Sequence, residues 1–138
     1  MKFIIYNILL TLLFFSFNLS NGQNKRKKKK RIELVRANEL QGGKFEEKKI
    51  NKFIGNVVFS HRGAKFYCDS AYRYTEKEDQ DKIEAFGNVR IQQGDSITLT
   101  GDRLTYNGDT RKAMMTGNVI LKKGRRVLQH NSLNYKIK

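Results

Sequence analysis

The stretch Ile83-Glu84-Ala85-Phe86-Gly87-Asn88-Val89-Arg90-Ile91 places a glycine and an asparagine inside a run whose apolar residues alternate on both sides. Period-two alternation marks a half-buried strand. A glycine within such a strand costs stability unless the backbone bulges or bends there. The triplet Gly-Asn-Val also occurs at Gly55-Asn56-Val57 and Gly117-Asn118-Val119, at spacings of 32 and 30 residues. A beat of this length predicts supersecondary units that bury their apolar faces only against one another, with each Gly-Asn marking a corner.

Further echoes fall in the same order. Gly55 is followed by Phe66, Cys68 and Tyr72-Arg73-Tyr74; Gly87 by Ile97, Leu99 and Leu104-Thr105-Tyr106; Gly117 by Val127 and Leu133-Asn134-Tyr135. Turn signals separate the alternating runs at His61-Arg62-Gly63, Gln92-Gln93-Gly94-Asp95, Asn107-Gly108-Asp109 and Lys122-Lys123-Gly124. Asn-Gly after Tyr106 suits a tight turn because both residues accept positive φ. The best helical candidate, 37–52, has sparse apolar residues and is broken by Gly42-Gly43. The fold class is therefore all-β: strands of five to eight residues by this reading, with corners in register, stacked into a repeat-built β-jelly roll or open V-shaped two-sheet sandwich. Such a body keeps exposed sheet edges, which are normally covered or paired.

The chain of 138 residues carries a net charge of +15, unevenly distributed. Residues 1–22 read as a secretory signal peptide, with Lys2 as a positive start, an apolar stretch from Ile8 to Phe17, and small residues near Ser20-Asn21-Gly22. The competing reading is an uncleaved anchor, because cations beside an apolar segment tend to stay cytoplasmic. Lys25 to Arg31 are seven consecutive cations, which cannot pack together and predict a disordered arm within a lead-in of 23–49. From residue 32 onward 20 basic face 13 acidic side chains, so the body is only moderately basic. The arm's expected partner is an anionic membrane surface; a solvated linker is the alternative. Nucleic acid is not expected, because the arm has no interleaved aromatics. The lone Cys68 permits no internal disulfide and reads as a small buried hydrophobe.

The Gly-Asn-Val repeats, Phe66-Tyr67-Cys68-Asp69-Ser70-Ala71-Tyr72, the block 83–89 and Gly101-Asp102-Arg103-Leu104-Thr105-Tyr106 together resemble the organic-solvent-tolerance (OstA-like) domain. That family includes periplasmic lipopolysaccharide-transport bridge proteins and the N-terminal domain of their outer-membrane partner. The resemblance covers roughly 50–138. It implies a periplasmic or outer-membrane-associated β-jelly-roll module that binds lipopolysaccharide through lipid A and stacks, by its edge strands, with related jelly-roll domains. The body has fewer repeats than a complete bridge, and the basic arm has no counterpart in the pattern.

For such a carrier, an apolar groove would shelter acyl chains and a rim of cations would meet phosphate. The alternation predicts Val57, Phe59, Phe66, Val89, Ile91, Ile97, Leu99, Leu104, Val119, Leu121 and Val127 as inward-facing, and the rim candidates are Arg62, Lys65, Arg90, Arg103, Lys122 and Lys123. The competing assignment is a closed core with solvated surface cations. No catalysis, cofactor or metal is expected: nucleotide-loop and zinc-hydrolase strings are absent, and His61 and His130 lack patterned partners. Glu76 to Asp81 lacks the calcium-loop glycine and reads as a solvated hairpin loop. The alternative function is a structural β-repeat adaptor that joins proteins through its sheet edges without lipid.

Overall fold

A computed structural model describes residues 30–45, 48–76 and 80–138. Residues 1–22, expected as a signal peptide, lie outside these residues, as does the expected disordered arm up to Lys29. The chain forms β1 (Glu33–Arg36), β2 (Glu39–Phe45), β3 (Lys48–His61), β4 (Ala64–Glu76), β5 (Gln80–Gln93), β6 (Ile97–Asn107), β7 (Lys112–Lys123) and β8 (Arg126–Lys136). From β3 to β8 each strand pairs antiparallel with the next, and β1 and β2 both pair with β3 as two pieces of one interrupted edge strand. The lead-in ahead of residue 50 is thus part of the sheet. Residues 37–52, discounted as a helix, are strand for most of their length.

Strands β3 to β8 are 11 to 14 residues long, not five to eight. The reason lies in the Gly-Asn pairs. Register slips at Ile54/Val57, Phe86/Val89 and Thr116/Val119, so each pair is a bulge through which the ladder continues. Gly55, Gly87 and Gly117 have φ of 75°, 77° and 78°, and Asn56, Asn88 and Asn118 have φ of 47°, 46° and 47°. Glycine takes this left-handed region freely, and asparagine is among the few other residues that visit it routinely.

Close approach makes the glycine necessary a second time. A Cβ at Gly87 would stand 2.6 Å from Asp69 Oδ2, at Gly117 2.5 Å from Asp102 Oδ2, and at Gly55 2.6 Å from Asn38 Nδ2. The two carboxylates also accept hydrogen bonds, each 2.9 Å, from Asn88 Nδ2 and Asn118 Nδ2. Each corner is therefore built alike: an Asp on the preceding strand, or Asn38 in the break between β1 and β2, covers the glycine, and at the two Asp corners it also holds the following asparagine.

The corner line divides the open sheet into two leaves. Leaf A holds β1 and residues 57–68, 89–101 and 119–130; leaf B holds β2 and residues 48–54, 70–76, 80–86, 103–116 and 132–136. They face each other across an apolar core: Phe66 packs on Tyr106 with ring centroids 4.6 Å apart, and Phe53 meets Phe59 edge-on at 5.2 Å. Ala71, Ala85, Leu99, Leu104, Met115 and Val119 fill the rest. Burying each large apolar side chain stabilises the fold by about 1.5–3 kcal/mol. The result is the jelly-roll-like sandwich that the repeat predicts.

Gly87→Ala should lower stability by at least about 1–2 kcal/mol, the cost of left-handed backbone for a residue with a Cβ, with displacement of Asp69 adding to it. Gly43 has open space around it, so Gly43→Ala should stay within about 0.5 kcal/mol. Urea midpoints of the two variants check this difference.

Candidate functional site

Pairing places side chains in rows that cross the strands. On the inner face of leaf A one row runs Leu34, Phe59, Phe66, Ile91, Leu99, Leu121, Leu128. Its middle is closed over by leaf B, but Leu34 is 39% and Leu128 51% exposed. On leaf B the matching row runs Leu40, Phe53, Ala71, Ala85, Leu104, Met115, Leu133, with Leu40 58% exposed. The ends are bare because the leaves are staggered. His61 of β3 and Phe66 of β4 reach Tyr106 of β6, and Tyr135 of β8 donates a 2.8 Å hydrogen bond to Gln93 Oε1 of β5. Leaf A tips thus lie over leaf B strands two or three places further on, which leaves Leu128 at the leaf A end of β8 exposed among the described residues.

Of the predicted inward residues, Val57, Phe59, Phe66, Val89, Ile91, Leu99, Leu104 and Val119 are buried, and Ile97 and Leu121 are half-buried. Val127 is a correction. The two-residue turn at Gly124-Arg125 pairs Lys123 with Arg126, Lys122 with Val127 and Leu121 with Leu128, so Leu128 points inward and Val127 outward, 60% exposed.

The rim candidates separate. Lys65 and Lys122 stand in one outer row, Arg90 lies over the Tyr67 ring at 4.1 Å and Arg103 over the Phe86 ring at 4.9 Å, each on its cross-strand neighbour. These four do not border the interior. Arg62 sits in the β3–β4 turn. Lys123 is on the inner row at the leaf A tip, opposite Ile97 and Arg126. With Arg125 and Arg126 it forms a cationic hairpin tip beside Leu128, fastened by Gly124 N–H donating to Ser96 C=O at 2.9 Å. Arg125 and Arg126 were not among the sequence candidates, although Lys122-Lys123-Gly124-Arg125-Arg126 is legible as a run. Two shallow depressions, of ≈ 380 Å³ around Tyr74 and Glu84 and ≈ 320 Å³ around Asn88 and Asp102, are lined mainly by outward-facing residues.

The opposite end of the sandwich is closed by polar groups. His61, buried, donates from Nε2 to Lys30 C=O at 2.9 Å and accepts the Tyr106 hydroxyl on Nδ1 at 2.6 Å, a structural role. Burial raises Tyr106 to about 12 despite the nearby Arg62 and Arg111. Asp81, expected in a solvated loop, is instead buried: Arg73 donates to it from Nε at 2.8 Å and Nη2 at 2.9 Å, and Ile32 N–H at 2.8 Å. Pattern reasoning missed it because its burial depends on Ile32, 49 residues away, and on the hairpin that brings Arg73 across from β4. These contacts seat the buried Ile32 against Gly108, where a Cβ would stand 3.2 Å from the Ile32 side chain and 3.1 Å from Asp81 C=O. Cys68 is buried, and desolvation first, then the charge of Asp69, raises its thiol to about 12. Among the described residues no cluster of His, Cys, Asp and Glu is placed to hold a metal.

Asp81→Ala should cost about 2–3 kcal/mol, because it strands a charged donor, and should speed hydrogen exchange at the Ile32 amide. Cys68 at pH 8 should be thiolate at only ~10⁻⁴, so a disulfide-exchange reagent should label it only after denaturant is added. Both raised groups favour the protonated fold, so their contribution is complete below pH 9 and is lost as pH rises towards 12.

No curated protein sequence matches the chain. A family model described as OstA-like protein matches residues 29–138, which takes in β1, β2 and the Ile32 contact as well as the corner repeats. The bent, repeat-built sheet and this match agree along the whole described body, and the chain belongs to the OstA-like protein family.

Proposed function

We propose that the protein is a non-enzymatic lipopolysaccharide-binding and transport module of the periplasm, working in outer-membrane biogenesis. Membership in the OstA-like family supports involvement in lipopolysaccharide transport. The observation that carries the finer reading is the exposed inner face at Leu128, beyond the half-buried Leu121 and next to the cationic tip of Lys123, Arg125 and Arg126. Acyl chains gain about 0.8 kcal/mol per buried methylene, and each cation near an anionic headgroup adds about 1 kcal/mol. Lipid A offers both chemistries in one molecule, several acyl chains beside phosphates. A cleaved signal at 1–22 would deliver the chain to the periplasm, and Lys25 to Arg31 would meet an anionic membrane surface. The free edges would stack with related jelly-roll domains, and an open end would let cargo slide on.

The second reading, a structural adaptor without lipid, is favoured by the packed centre, where Phe66 and Tyr106 leave no room between the leaves.

Native mass spectrometry with added lipid A separates them. A stoichiometric adduct is expected, lost in Leu121→Asp with Leu128→Asp and weakened about tenfold by Lys123→Glu with Arg126→Glu, a loss of ~1.4 kcal/mol. Val127→Asp, on the outer face, should bind like the parent. A folded protein that ignores lipid A supports the adaptor.

A further inference from the structure

Alternation along a sheet with one solvated face puts polar residues outside. The outer face of leaf B departs from this rule. Three aromatic rings touch one another there: Tyr74 and Tyr72 of β4 have centroids 6.4 Å apart, and Tyr72 meets Phe86 of β5 edge-on at 6.1 Å. Ile50 and Ile54 of β3 stand on the same outer face, opposite Tyr74 and Ser70, and all five apolar side chains are half-buried. Contiguous apolar surface rimmed by polar groups marks an interaction site.

At its Tyr74 end the strip runs into the depression of ≈ 380 Å³. Ligand sites are typically ~300–1,000 Å³. Ile50 and the Tyr74 ring give this one an apolar wall, and its polar lining is Lys48, Glu76, Lys82, Glu84 and Asn107. The four charges are matched: Lys48 Nζ donates to Glu76 Oε1 at 2.8 Å, and Lys82 Nζ to Glu84 Oε1 at 2.9 Å. Asn107 accepts the Asp109 and Thr110 amides on Oδ1, and its Nδ2 has no hydrogen-bond partner among the described residues.

This lining selects the chemistry of a ligand. An ion of either sign meets two charges of each kind, already paired. An acyl chain or an apolar protein segment laid over the depression would strip water from both pairs, and desolvating an ion pair can cost more than its attraction returns. A neutral sugar does neither. Its hydroxyls replace water on the carboxylates, the ammonium groups and the Asn107 amide, while its C–H face lies on an aromatic ring, whose π-face is electron-rich. Lys52 and Arg103, 5.8 Å and 4.9 Å from the centroids of Tyr72 and Phe86, supply further donors along the strip. The strip extends beyond the depression, which suits a chain of sugars and not a single one.

We propose that the outer face of leaf B is a binding platform for a neutral glycan chain, anchored on the Tyr74 ring at the depression and continued over Tyr72 and Phe86. The lipid reading concerns Leu128 on the inner face of leaf A, so the platform stands without it.

A neutral glycan has two sources, the cell wall and the sugar chain of lipopolysaccharide, and the experiment separates them. The full-length protein is titrated with a β-1,4-linked N-acetylglucosamine tetramer and with a deacylated polysaccharide carrying an uncharged O-chain. Binding is read by calorimetry and by tyrosine fluorescence, which is usable because the chain has no Trp. One of the two should bind, and added salt should leave its affinity unchanged. Tyr74→Ala should weaken binding by about tenfold or more, and Tyr74→Phe should retain it within about twofold, because the ring is the anchor. Lys82→Met with Glu84→Met removes hydroxyl partners while keeping bulk in the outer rows; it should weaken binding by about threefold at an unchanged urea midpoint, which separates lost contacts from lost folding. Tyr67→Ala, on the outer face of leaf A, should bind like the parent. Binding of neither glycan, equal binding by Tyr74→Ala, or tighter and salt-sensitive binding of a sulfated glycan would overturn the proposal.

Discussion

Two adjacent residues with positive φ cannot sit in a flat ladder, and everything else in this molecule follows from placing such a pair at the same level of β3, β5 and β7. The bulge turns the strand while hydrogen bonding continues through it, so one antiparallel meander becomes two facing leaves, and of its strands only the β1/β2 edge is interrupted at the corner. The Asp or Asn of the preceding strand occupies the space that a Cβ would take. Backbone conformation and side-chain packing therefore demand glycine at the same positions, which accounts for a repeat unit of about thirty residues, two long strands and one corner.

Stagger between the leaves decides where the apolar surface is closed and where it is open. In the middle strands, Phe59, Phe66, Leu99 and Leu104 have no exposed surface of consequence. At the N-terminal end the gap is shut by a polar seam, Lys30 C=O on His61 and Ile32 N–H on Asp81, whose groups satisfy one another; among the described residues no buried side-chain polar atom lacks a partner. Over Leu128, 51% exposed, no equivalent seam is formed among the described residues. The seam closes the gap at His61 and Asp81, while apolar row ends stay exposed at Leu34 and Leu40 on one edge of the sheet and at Leu128, beside the cationic hairpin tip, on the other.

Much of this was legible in the residues. The Gly-Asn-Val beat and the period-two runs named an all-β sandwich with corners, and alternation found the buried rows through Val57, Phe59, Phe66, Val89, Ile91, Leu99, Leu104 and Val119. These properties are local: parity along a strand and tolerance of positive φ belong to a residue and its immediate neighbours. Strand length was misjudged because a bulge and a turn share the same glycine signal, and Val127 was turned the wrong way because a hairpin turn resets parity by one residue.

What the tertiary structure alone decided involves residues far apart in sequence. Asp81 meets Ile32, His61 meets Tyr106, and Arg90 and Arg103 lie on outer-face rings rather than at a lip. The sequence determined that the sheet must bend and where along each strand, because φ is a local quantity. Which strand of one leaf lies over which strand of the other, and hence which apolar row ends stay open, depends on the offset between the leaves, a distance no single strand encodes.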